Sequence, residues 1–196
     1  MNTNQFRSSF TQRGIPARNN KFDLRILALP EAVATYSEYK DIVYRCRETT
    51  LPGRNINTTE FSAYGPPKKI AYGAAYENQS LTIIVSDDMF EKTLFDRWQS
   101  YITNDETGSD VKYHDSYVGK VQVTQYNNTG EIATKTVEFI DAFPVVVSPM
   151  RVAWDANDEY HVLEIELAYT KWRTIENTGS ASPSNNTTPT SEQQLF

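Results

Sequence analysis

The side chains able to do covalent or acid–base chemistry are few: one cysteine, Cys46, and two histidines, His114 and His161, in 196 residues. A catalytic nucleophile needs a base within hydrogen-bond reach, and the base needs a third group to orient it. His114, Asp115 and Ser116 stand consecutively and make a triad on paper. Neighbours this close in sequence rarely converge that way in space, so a plain loop histidine explains them better. His161 falls in the final strand, on the side away from its leucines, with no second His or Cys at ligand spacing; a surface or interface histidine fits better than a metal ligand. Asp87 with Asp88, and Asp155 with Asp158, suit a helix start and a turn better than general acid–base work. Cys46 sits in the strand-like run DIVYRCRE, where Arg45 and Arg47 alternate away from it, and reads as a buried apolar thiol. Being the only cysteine, it allows no internal disulfide. No Gly-x-Ser-x-Gly elbow, His-Glu-x-x-His, Cys-x-x-Cys or Gly-rich phosphate loop occurs. The sequence therefore assigns no catalytic, cofactor-binding or metal residue, implies no cofactor, and does not read as an enzyme.

The regular elements that would position any site are strands, with one amphipathic helix. In residues 86–102, SDDMFEKTLFDRWQSYI, the side chains Phe90, Leu94, Trp98 and Tyr101 or Ile102 recur at three- and four-residue steps, widened by Phe95. Asp88 followed by Glu91 has the form of a capping box, and Asp87, Asp88 and Glu91 lie where the helix dipole favours negative charge. Elsewhere the period is two. Phe22, Leu24 and Ile26 predict a first strand ending at Pro30, and a second strand carries Ile42, Tyr44 and Cys46 before stopping at Leu51, Pro52 and Gly53. Residues 31–40 form a polar bridge with room for a short helix. Residues 54–76, rich in Asn, Thr, Gly and Pro, are either an extended hairpin or a functional loop.

Residues 79–86 predict a strand with Leu81, Ile83 and Val85 on one side. A strand over 117–126, the turn Asn127, Asn128, Thr129, Gly130 and a returning strand over 132–140 make a hairpin. Ala142, Phe143 and Pro144 are expected to break that strand, with a short apolar run at 145–147 and a further strand starting at 150–154. The last strand, 159–169, puts Leu163, Ile165, Leu167 and Tyr169 on a core face, and Glu164 and Glu166 on a wet, acidic one.

Composition bounds the class. A 39% hydrophobic and 22% charged chain is ordinary for a folded protein, and 12% aromatic content with 12 tyrosines leans towards β structure. The formal charge of -6 argues against gripping nucleic-acid phosphates, but not against letting DNA pass unheld. There is no signal-peptide pattern at the N-terminus and no apolar run of membrane-spanning length, so the expectation is a soluble protein without membrane contact. Residues 1–21 carry Arg7, Arg13, Arg18 and Lys21 without an acid, and form either a flexible terminus or an arm docking Phe6 and Phe10 on a neighbouring subunit. Residues 177–196 collapse to Ser, Thr, Asn, Pro and Gln, a low-complexity tail. Residues 22–176 remain as the folded domain.

Several stretches, in order, resemble one family. They are the strand ending in Leu51, Pro52 and Gly53; the strand and helix SLTIIVSDDMFEKTLFDRWQ; Tyr117, Val118 and Gly119; Phe143 with Pro144; and the closing WDANDEYHVLEIELAYTKW. Their joint order over Phe22 to Trp172 is similar to that of the tail tube proteins of contractile-tailed bacteriophages, relatives of the inner-tube proteins of other contractile injection machines. The resemblance does not reach the basic arm or the tail. It implies a mainly β (α+β) fold, a β-sandwich or rolled barrel with one flanking helix, whose strands join a ring-wide barrel in a homo-hexamer. It further implies that rings stack into a tube inside a sheath, meeting a baseplate or tube initiator at one end and a terminator at the other. A tape-measure protein and genomic DNA would occupy the lumen without sequence-specific binding. The location implied is the virion tail, assembled in the host cytoplasm. A baseplate-proximal initiator, the inner tube of a non-viral injection system and, from another class, a small-ligand-binding barrel are the alternatives. Within this reading the 54–76 segment is the expected contact between stacked rings.

Overall fold

The computed structural model of the chain describes residues 2–3, 7–8, 16–62, 65–103, 110–154 and 159–175. Its elements in order are β1 (Phe22–Ala28), α1 (Tyr36–Tyr39), a 3-10 helix (Lys40–Arg45), β2 (Cys46–Thr49), β3 (Asn55–Phe61), β4 (Lys68–Ala75), β5 (Gln79–Ile84) and α2 (Phe90–Ile102). They continue with α3 (His114–Tyr117), β6 (Gly119–Tyr126), β7 (Ala133–Val147), β8 (Val162–Ala168) and β9 (Lys171–Ile175). Hydrogen bonding runs β1-β6-β7-β8-β5-β2, with β9 also on β7; β3 and β4 pair only with each other. All pairings are antiparallel.

The period-two pattern sets the inside. Leu24 and Ile26 of β1, Val121 and Val123 of β6, Val137 and Phe139 of β7, Leu81 and Ile83 of β5, and Leu163, Ile165 and Leu167 of β8 are all buried. The sheet rolls around them until β2 and the 3-10 helix come up against β1. One strand does most of the turning. The N-terminal part of β7 pairs with β6 and β9, and its C-terminal part pairs with β8.

Here the structure corrects the expected strand break at Ala142, Phe143 and Pro144. The strand continues to Val147, and its change of direction is made by two extra residues. Asp141 is skipped in the pairing with β6 and takes a left-handed backbone (φ 57°), and Val145 is skipped in the pairing with β8. An inserted residue bends a strand without ending it, and proline is tolerated beside such a bulge. The hairpin turn before β7 forms as expected: Asn127 Oδ1 accepts from the Gly130, Glu131 and Ile132 amides, and Gly130 supplies φ 84°.

Two other expectations fail. The second strand begins only at Cys46, because residues 40–45 wind into a 3-10 helix; its three-residue period buries Tyr39 and Ile42 together, an alternative that alternation alone conceals. Residues 150–154 form no strand, and the Trp154 side chain stands fully in solvent.

Helix α2 closes the core. Leu94, Phe95 and Trp98 are buried as the stripe predicts, and the Trp98 indole N–H donates to the Tyr117 carbonyl at 2.8 Å. The ring can lie there because residue 119 is glycine: a Cβ on it would stand 2.6 Å from the Ala28 carbonyl and 3.1 Å from the Trp98 ring. The helix start differs from the expected capping box. Met89 is the N-cap, in left-handed backbone, and the Glu91 carboxylate reaches back to Ser86, accepting from its amide at 2.8 Å and its hydroxyl at 2.7 Å. Glu91 is 3% exposed and meets Arg45 Nε at 3.2 Å, so it ties the helix to the end of β5 and to the 3-10 helix.

Two stability effects are expected in urea unfolding. Gly119→Ala forces its methyl against an immobile backbone oxygen and costs about 1–3 kcal/mol. Glu91→Ala takes the acceptor from the half-buried Ser86 amide and is expected to cost about 1–3 kcal/mol, whereas Arg45→Ala, with its side chain 44% exposed, costs under about 1 kcal/mol. Equal costs for the last two would contradict the assignment of Glu91 as the anchor.

Candidate assembly interface

Chemistry-bearing residues do not converge. His114 Nδ1 is 3.5 Å from Asp115, while Ser116 Oγ donates instead to the Tyr113 carbonyl at 2.6 Å; the imidazole packs edge-on against Tyr117 and Phe143. His161 lies just before β8, not within it, half-buried, with its carbonyl accepting from the Val85 amide. Its odd position shares the parity of Leu163, Ile165 and Leu167, so it does not face away from the leucines as expected. Burial pushes the Cys46 thiol up to about 12, leaving it protonated and unreactive at neutral pH. Asp88 accepts from the Ser86 hydroxyl, which holds its carboxyl below the usual range, and from the Phe90 amide, so it belongs to the helix start. Asp155 and Asp158 lie outside the described residues. Among the described residues no group of three or more His, Cys, Asp or Glu is placed to hold a metal, and no helix is long and apolar enough to cross a membrane.

What the surface offers instead is area and edges. The 54–76 segment folds as the extended hairpin β3–β4, and every residue of both strands is exposed. At about 3.3 Å per residue, β4 alone reaches about 25 Å. Ile56, Phe61, Ile70 and Tyr72 project from the ribbon, Tyr72 at the bulge where β3 and β4 fall out of step. An isolated two-stranded hairpin is at best marginally stable in water, and both its outer edges present unpaired backbone groups. The sequence announced the segment but not these four side chains; their signal was the sparse apolar residues among Asn and Thr on each arm.

The rolled sheet has edges as well. Among the described residues β1 bonds only β6, β2 only β5, and β9 only β7. The outward faces differ in charge. Over β2, β5 and β8 the cross-strand rows read Glu48, Thr82, Glu164 and then Ser80, Glu166, all on the face away from the leucines, with Asn78 donating to Glu166. The acidity of Glu164 and Glu166 was legible in the alternation; Glu48 joins them only through the register. Over β1, β6, β7 and β9 the rows read Lys120, Ile140, Lys171 and Arg25, Gln122, Glu138, Arg173, where Glu138 is 4% exposed and accepts from Arg173 Nε at 2.7 Å.

Comparison with known proteins agrees with this geometry. The family described as phage tail tube protein matches residues 3–175. The chain is 23% identical over 160 residues to tail tube protein gp19 of Enterobacteria phage T4, covering 80% of this chain and 90% of that protein, and 24% identical over the same span to its counterpart in phage T6. In fold it is similar to a chain of the anti-feeding prophage baseplate (TM-score 0.59, 15% identity, 83% of this chain and 97% of that one). It is also similar to a chain of the PVC sheath–tube complex of an extracellular contractile injection system (TM-score 0.53, 16% identity, 89% and 98%). The rolled, mainly β barrel with one flanking helix is thus shared with contractile machinery, and the chain belongs to the phage tail tube protein family.

Proposed function

We propose that this chain is the repeating structural subunit of a contractile tail's inner tube, and that it has no enzymatic role. Copies close into hexameric rings by pairing exposed strand edges, and the rings stack within a sheath between a baseplate-proximal initiator and a terminator. Residues 22–176 are the tube-building domain, with 1–21 an arm and 177–196 a tail. The observation that carries this reading is the β3–β4 ribbon: its apolar side chains and both of its edges lack a partner within the described subunit, and a second copy supplies one. The setting is the virion tail, and the two phage relatives favour it over a non-viral injection system. A ligand-carrying barrel would need an apolar interior cavity; here Trp98, Phe95, Phe139 and the leucines fill the interior.

The acidic face of β2, β5 and β8 is the one suited to line the channel. Carboxylates there repel phosphate and keep genomic DNA from being held in passage, while a tape-measure protein occupies the same lumen before it. The outer face of β1, β6, β7 and β9 offers Lys120 and Lys171 and pairs Arg25 with Asp23 and Arg173 with Glu138, so it would repel DNA less.

Electron micrographs of the purified chain are expected to show rings or tubes of uniform width. Deleting residues 66–69 shortens the ribbon and is expected to give folded subunits, with an unchanged circular-dichroism spectrum, that do not polymerise; normal tubes from that variant would contradict the ring-contact role. Tubes carrying Glu164→Lys together with Glu166→Lys should retain a fluorescent oligonucleotide at low salt and release it at high salt, whereas unmodified tubes exclude it. Exclusion by the doubly substituted tubes would move the lining to another face.

A further inference from the structure

The ribbon leaves the barrel through a narrow neck, with Arg54 just before β3 and Tyr76 just after β4. The Arg54 guanidinium carbon lies 5.7 Å from the centre of the Tyr76 ring and 5.0 Å from that of Trp172 on β9. Among the described residues no carboxylate is within ion-pair distance of Arg54, so the two rings are what hold it. Trp172 also donates its indole N–H to the Gly53 carbonyl at 3.1 Å, and Asn55 Nδ2 donates to Glu77 Oε1 at 2.8 Å across the neck. Behind the neck the aromatic contacts continue inward: Tyr76 is 5.9 Å from Tyr169, and Tyr169 is 4.9 Å from Phe139, which is buried in the core. A planar guanidinium can meet two aromatic faces at once while its edge remains hydrated, which an ammonium does less well.

We propose that Arg54 is a positioning residue for assembly: clamped by Tyr76 and Trp172, it fixes the direction in which the β3–β4 ribbon projects from the barrel. The physical need is clear from the ribbon itself. With every residue of β3 and β4 exposed, the side-chain contacts that tie the ribbon's course to the barrel among the described residues lie at the neck. A ribbon free to swing at its root would spread its tip over a wide arc, and docking would have to pay the ordering entropy each time a ring is added. Holding the root removes that cost in advance. The assembly part of the inference rests on the ribbon's being the ring-to-ring contact.

The test uses the full chain with Cys46→Ala and spin labels at Glu60→Cys on the ribbon and Lys120→Cys on the barrel, at a concentration below polymerisation. The distance distribution is expected to be narrow with Arg54 in place, several-fold broader with Arg54→Ala, and intermediate with Arg54→Lys. Melting temperature should hold within a few degrees, because the neck lies outside the buried core. In parallel, the critical concentration for tube formation without labels should rise about tenfold for Arg54→Ala, equivalent to about 1.4 kcal/mol, with partial recovery for Arg54→Lys. An unchanged distribution in Arg54→Ala overturns the inference. A broadened distribution with unchanged critical concentration upholds the clamp and instead refutes the ribbon's role between rings, so the two failures are told apart.

Discussion

Backbone amides and carbonyls, once placed in an extended strand, need partners on both sides, and in this subunit that requirement is met only in the interior of the rolled sheet. β6, β8 and β5 each have two paired neighbours and β7 has three, β6 and β9 along its N-terminal part and β8 along its C-terminal part; β1, β2 and β9 have one, and the β3–β4 ribbon has only itself. Water can satisfy those groups, but such edges invite another strand. Much else in the molecule follows from where the unpaired edges are and from what stands beside them.

The core does not share that incompleteness. Trp98, Phe95 and Leu94 seal one side of the roll, Gly119 admits the indole against the strand, and Glu91 fastens the start of the helix to Ser86 and Arg45. The subunit therefore has an interior able to fold alone and a periphery that is not finished alone. The division suits a part that must exist free before it is added to a polymer. It also separates two kinds of substitution: those at the helix-to-β6 junction act on stability and, on the proposed role of the ribbon, those on β3 and β4 act on assembly.

The sequence displayed the alternating strands and the helix stripe openly, because burial on one face imposes a period that single residues cannot hide. It hid the features that depend on register. Proline at 144 suggests an end to the strand, and only the pairing shows that the skipped residues Asp141 and Val145 turn it instead. The alternation of Ile42, Tyr44 and Cys46 suggested a strand, whereas residues 40–45 wind as a 3-10 helix against β1, burying Tyr39 and Ile42 three residues apart and leaving Tyr44 exposed. Glu91 was legible as a capping-box acid, but its partner is Ser86 and not Asp88, and that reach back buries it. The place of Glu48 beside the acidic face of Glu164 and Glu166, and the Arg54 neck, were invisible for the same reason, since Glu48 and Glu164, or Arg54 and Trp172, are brought together only by the fold.

The central claim is that a second copy of the chain completes the ribbon. Amide hydrogen exchange followed by mass spectrometry, on dispersed subunits and on assembled tubes, reads this directly. The account predicts strong new protection over residues 55–75 on assembly, while residues 119–126 in the barrel interior exchange equally slowly in both forms. Residues 55–75 exchanging as fast in tubes as in free subunits would contradict it.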